Sequence, residues 1–368
     1  MPPKAEQESH ALNDLLITTL ALLAQFTTYL APTSTLPPPT TPISNPPNPL
    51  HVLRDAARLV KAHTTKISLL AINKPFTPSA IRKVLNELTA TCLPAMMSAV
   101  QICEQERTTT WGGLMGGEVR ARVRRVFREM EMLLQEVLSI AAGGNEAGAI
   151  SSSRRDSLSS TGVVWESCDA LIELEKLGIA GLAVQKAEQY RDTIKDAIEE
   201  LREWTEGEDT DTEGHDALLD ENDEAVEGDT ESLEDLFNAA NSMPRDRPEL
   251  KQLVEEAGGL LKKVVLLYNA VIKRRLRTFK ERGNGEGEGE GEGVERLDQA
   301  MLSLRRIPHQ VDELASCFYD LDDARAKEML AKCINEAKTA ARVMEKRWED
   351  GAADEFTAWS RKWKEAVG

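Results

Sequence analysis

The chain has 368 residues, 41% of them hydrophobic and only 5% aromatic, with a formal net charge of −17. That length suits two domains better than one core, and the Ala, Leu, Glu, Lys and Arg of its long segments favour helices over strands. The five cysteines form neither a CxxC pair nor a zinc-spaced Cys/His cluster, which argues against a structural metal and for buried, reduced thiols in a soluble intracellular protein.

The acidity is local. Sixteen Asp and Glu lie between Glu203 and Asp235 with no Lys or Arg among them, so the rest of the chain is close to neutral. A run of this kind repels itself and has too few apolar groups to offset the entropy of ordering, so it is expected to be disordered. It also disfavours nonspecific binding to nucleic acid.

In chain order, the first predicted helix covers residues 12–30, with Leu12, Leu15, Thr19, Leu22, Phe26 and Tyr29 on one buried face. It is apolar enough to resemble an anchor, but Asn13, Asp14, Gln25 and the acidic leader residues Glu6 and Glu8 argue against a membrane or secretory role. A proline-rich connector follows at 31–49. In the second helix Leu50, Leu53, Ala57, Val60, Thr64, Ile67 and Ala71 alternate by three and four until Asn73-Lys74-Pro75. The third opens at Thr77-Pro78 and runs to about Arg107, with a kink expected at Pro94.

The glycine-rich stretch Trp111–Gly117 lacks the GK[ST] ending of a phosphate-binding loop and reads as an interhelical connection. A fourth helix carries Val119, Val123, Val126, Met130, Leu133, Val137 and Ile140. Arg120, Arg122, Arg124, Arg125 and Arg128 fan away from that stripe and read as a solvated face. Residues 143–160 form a Gly/Ser-rich, flexible loop, in which Ser157 follows Arg154-Arg155 and is a candidate phosphorylation site. Two more helices follow, at 163–174 and 179–206. Trp165, Cys168 and Ile172 share one face of the first, so Trp165 is expected to be a core anchor.

Within the acidic segment, Asp209, Asp211, Glu213, Gly214 and Asp220 imitate a calcium loop. Asp220 stands where a bidentate Glu is usual and Asp216 where an apolar residue pairs loops, so no calcium site is expected. Beyond it, Leu250, Leu253, Ala257, Leu260, Val264, Leu267 and Val271 mark a long helix. Lys273, Arg274, Arg275 and Arg277 gather at its end, favoured there by the helix dipole, with a nuclear-import patch as the alternative use. A Gly-Glu loop at 283–293 precedes three further helices, at 294–316, 324–348 and 352–366.

The expected fold is all-α: two antiparallel helical-bundle domains, 1–206 and 246–368, joined by a disordered acidic linker at 207–245. The five histidines are scattered and no GxSxG or HExxH pattern occurs, so no catalytic, cofactor-binding or metal-binding residues are assigned and no enzyme is expected. An interaction protein and a cytoskeletal or adhesion-type scaffold both remain compatible with such bundles.

Several stretches resemble the cyclin-D-interacting protein family. They are Leu59-Val60-Lys61-Ala62-His63-Thr64-Thr65-Lys66-Ile67, Val163-Val164-Trp165-Glu166-Ser167-Cys168-Asp169, and Tyr190–Glu200 followed by an acidic segment. Leu260-Leu261-Lys262-Lys263-Val264 and Val311-Asp312-Glu313-Leu314-Ala315 add to the likeness. The resemblance implies an all-helical, non-enzymatic protein of nucleus and cytoplasm that binds a D-type cyclin or a helix-loop-helix transcription factor and restrains the cell cycle. It brings no cofactor, nucleic-acid or membrane partner.

Overall fold

The computed structural model describes residues 4–33, 45–143, 150–206, 243–244, 246–280 and 292–368, and helices are the only regular structure among them. The all-α expectation therefore holds. The chain divides into two compact units, one of Met1–Leu182 with Glu281–Glu295, the other of Ala183–Lys280 with Arg296–Gly368. The boundary thus falls at Leu182 rather than after residue 206, because residues 183–206 pack with the second unit.

In the first unit, α1 (Lys4–Tyr29) packs on α5 (Gly112–Gly143) and on α3 (Pro78–Glu87). Its buried positions are Leu12, Leu16, Thr19, Leu23 and Leu30, which places two of the leucines one position later than expected. A helix that is apolar nearly all round fixes its inward face only to within about one residue, and its neighbours decide the rest. The helix α2 (Pro49–Ile72) has a sharper pattern and buries Leu53, Ala57, Val60, Thr64, Ile67 and Ala71 as expected. The side chain of Asn48 caps it by accepting from the amides of Leu50 and His51 at 2.9 and 3.3 Å.

The third predicted helix is two, α3 and α4 (Leu93–Gln105), joined by a π-helical turn at Leu88–Cys92. Pro94 explains it. A proline ring clashes with the carbonyl four residues back, here Ala90 in the middle of that turn, and a locally wider helix relieves the clash. The amide of Leu93 accordingly donates to the carbonyl of Leu88, five residues back.

A second wide turn at Arg107–Trp111 leads through Gly112, at φ 66°, directly into α5. The expected loop at Trp111–Gly117 is therefore the start of a helix. Glycine weakens a helix interior by only about 1 kcal/mol, and the burial of Trp111, Met115 and Val119 offsets that cost. The indole Nε1 of Trp111 donates to Glu106 at 2.9 Å.

Of the arginine fan of α5, Arg125 and Arg128 are exposed as expected, but Arg120, Arg122 and Arg124 are half-buried and do not form a solvated face. Arg120 donates to the carbonyls of Leu30 and Ala31 at 3.2 and 2.6 Å, and Arg124 to that of Thr27 at 3.0 Å, so both cover the carbonyl end of α1. Arg122 and Arg125 reach the other way, to the carbonyl of Ala170 and to Glu166. Arg120→Ala should therefore cost about 1.5–3 kcal/mol, the range for hydrogen bonds to a charged group. Urea denaturation would measure it, and a loss below about 0.5 kcal/mol would restore the solvated-face reading.

Helix α6 (Ile150–Glu206) begins earlier than expected, so residues 150–160 are helical and not a flexible loop. It is interrupted at Gly178 (φ 60°, ψ −173°), between the two helices read from the sequence. The second unit combines its later part with α7 (Pro248–Arg274), α8 (Glu292–Tyr319), α9 (Asp323–Val343) and α10 (Glu355–Ala366). The fully buried Tyr268 of α7 donates its hydroxyl to the carbonyl of Leu304 in α8 at 2.6 Å. The amide of Met243 donates to the carbonyl of Trp204 at 3.0 Å. The disorder expected of the acidic linker, its calcium-like residues Asp209 to Asp220, most of the proline-rich connector and most of the Gly-Glu loop lie outside the described residues.

Candidate protein-binding interface

Among the described residues, the cysteines, histidines and carboxylates are groups able to ligate a metal or act as nucleophiles. No group of three or more His, Cys, Asp or Glu is placed to hold a metal among them. All five cysteines are free and buried, and burial pushes the thiols of Cys103, Cys168 and Cys333 up to about 12, far from a reactive thiolate at neutral pH. By length and composition α1 could cross a membrane, but its Leu12, Leu16, Thr19 and Leu23 are buried within the first unit.

The basic cluster at the end of α7 comes apart in the structure. Arg275 is buried, so it cannot belong to an accessible import patch. Its guanidinium grips Asp354 through two bonds of 2.8 Å, donates to the carbonyls of Met344 and Glu345, and lies 4.4 Å from the Phe356 ring centroid. Arg274 and Arg277 are exposed but face Glu355 and Glu188 at 3.3 and 3.2 Å, while Lys273 is exposed at the last turn. The other candidate, Ser157, lies within α6.

What remains distinctive is an exposed apolar strip on α2 and α6. Three contacts set the register of these helices: Arg54 to Glu175 at 3.0 Å, Lys61 to Asp169 at 2.6 Å, and the buried Ser68 and Thr161 hydroxyls at 2.5 Å. Ascending numbers on α2 meet descending ones on α6, so the two run antiparallel. Trp165 sits one turn from both Thr161 and Asp169, on the edge of α6 nearest α2. It is 37% exposed, which overturns the expected core anchor. The inward row of α6 is instead Val164, Cys168 and Leu171, and Trp165, about 100° further round, falls on the rim. On the outer ridge of α2, Leu59 and Leu69 are 49% and 51% exposed, with exposed Ala62 between them. Gly162, three residues before Trp165, borders open space. Single exposed leucines are ordinary, but two on one ridge beside a half-exposed tryptophan form the patch type that binding surfaces use.

The protein is all-helical, with an exposed apolar strip on α2 and α6. Residues 52–207 match the family described as Grap2 and cyclin-D-interacting, N-terminal, a stretch that holds most of α2, all of α3 to α6 and every residue of the strip. An uncharacterised protein of Schizosaccharomyces pombe is 25% identical over 323 residues, covering 86% of this chain and 84% of its own length. Over residues 52–207 the chain is thus similar to the N-terminal domain of the cyclin-D-interacting family, in line with the resemblance read from its sequence.

Proposed function

We propose that this protein is a non-enzymatic regulator that binds a D-type cyclin through the strip on α2 and α6 and so restrains cell-cycle progression in cytoplasm and nucleus. The observation that supports the reading is the coincidence of the strip with the cyclin-D-interacting stretch: Leu59, Leu69 and Trp165 all fall inside it, exposed. A helical module with an apolar ridge binds by laying that ridge against a partner's helix or groove, and no bond-making chemistry is required of it.

Calorimetric titration of the full chain with a purified D-type cyclin tests the reading. Binding is expected, and the double change Leu59→Glu with Leu69→Glu should weaken it by about tenfold or more, while stability stays within about 0.5 kcal/mol because both side chains already face water. No binding, or binding indifferent to the double change, would reject it. Selective binding of a helix-loop-helix factor in place of the cyclin would keep the strip and replace the partner.

A further inference from the structure

The two helices that border the strip carry opposite charge. From Ala56 to Ile72, α2 holds Arg58, Lys61 and Lys66 and no Asp or Glu. From Ser159 to Glu175, α6 holds Glu166, Asp169, Glu173 and Glu175 and no Lys or Arg. The side chains of Arg58, Glu166, Asp169 and Glu173 are each more than half exposed, and Lys66 is exposed as well. The pairs already present, Arg58–Asp55, Lys61–Asp169, Arg125–Glu166 and Glu173–Lys176, are surface contacts of small net worth. An incoming group can therefore exchange with them. Leu69 and Trp165 are exposed on these two oppositely charged walls, and the missing side chain of Gly162 leaves room above α6.

We infer that the strip takes an amphipathic helix of the partner whose apolar stripe is flanked by acidic residues on one edge and basic residues on the other. This deepens the cyclin-binding reading and rests on it. An apolar stripe would cover Trp165 and Leu69, an acidic edge would lie along Arg58 and Lys66, and a basic edge along Glu166, Asp169 and Glu173. A helix with both edges of one sign would meet like charge on one wall, which costs affinity and excludes it. Because a helix can turn end for end, one mixed-edge helix satisfies either order of edges.

The test needs no knowledge of the natural partner. Three designed peptides of about five helical turns share one leucine stripe and differ only in their edges: glutamate on one and lysine on the other, glutamate on both, or lysine on both. Fluorescence anisotropy with the full chain should show the mixed peptide binding about tenfold tighter than either single-sign peptide, a difference that shrinks as salt is added. In the variant Arg58→Glu with Lys66→Glu, both walls become acidic and preference should pass to the lysine-edged peptide. Equal binding of all three, no binding of any, or an unchanged preference in the variant would overturn the inference. Cyclin binding that is lost in the Leu59→Glu, Leu69→Glu protein, without any peptide discrimination, would leave the cyclin-binding reading standing and remove only the polarised helix.

Discussion

Replacing Arg275 with Ala should destabilise the second unit by about 3–5 kcal/mol, the range for removing one partner of a buried ion pair. The side chain holds three segments at once: α7 through its own backbone, the turn at Met344 and Glu345 through their carbonyls, and the cap of α10 through Asp354. Asp354 in turn starts α10 with a reciprocal cap, accepting from the Thr357 amide at 3.0 Å while its own amide donates to the Thr357 hydroxyl at 3.1 Å. The carbonyl of Arg275 also receives the indole Nε1 of Trp348 at 2.8 Å. Lysine cannot reproduce the two-pronged grip on the carboxylate, so Arg275→Lys should recover only part of the loss.

The Arg275 guanidinium, helped by Thr357, holds the Asp354 carboxyl well below the usual carboxylate range. A depressed carboxyl contributes stability that is present above its unfolded pKa and lost as pH falls toward its folded value. The gap between the native chain and Asp354→Asn should therefore be full at pH 7 and narrow below about pH 4. Urea denaturation across that range measures both effects. A loss under about 1 kcal/mol for Arg275→Ala would show that the contacts are incidental.

Arg275 also shows where the sequence was silent. Within Lys273-Arg274-Arg275 nothing local marks the middle cation as the buried one, because its carboxylate stands 79 positions later. The arginine fan of α5 failed for a related reason. Helical period shows which residues leave the core stripe, but not that the open carbonyl end of α1 waits there for Arg120 and Arg124. Where polar and apolar positions alternate cleanly, as in α2, the buried face was readable residue by residue. In α1, where apolar residues fall on every side between Leu15 and Phe26, the phase slipped by one.

Pro94 announced a distortion, and only the structure showed that it is a widened turn. The residues 112–117 look like a loop because glycine usually ends helices, yet buried neighbours on both sides keep them helical. The strip itself was half legible. Around Trp165 two rows of three-and-four spacing overlap, one through Val164, Cys168 and Leu171 and the other through Trp165, Cys168 and Ile172. Packing against α2 and α5 selects the first and leaves the tryptophan on the rim. The opposite charge of the α2 and α6 stretches, by contrast, stands in the sequence, but it acquires meaning only once the two helices are known to be neighbours.

Trp165→Ala, followed by denaturation and by titration with a D-type cyclin on the same preparation, tests the central claim most directly. A fully buried tryptophan would cost about 3–5 kcal/mol on truncation. One already 37% exposed should cost less than about 2 kcal/mol, and the variant should remain folded with its helical circular dichroism intact. As an aromatic anchor beside Leu69, it should nevertheless carry about 2 kcal/mol or more of the binding energy, so cyclin affinity should fall by at least about thirtyfold. A folded variant with that loss is the predicted result; a folded variant that binds the cyclin as tightly as the native chain would contradict the account.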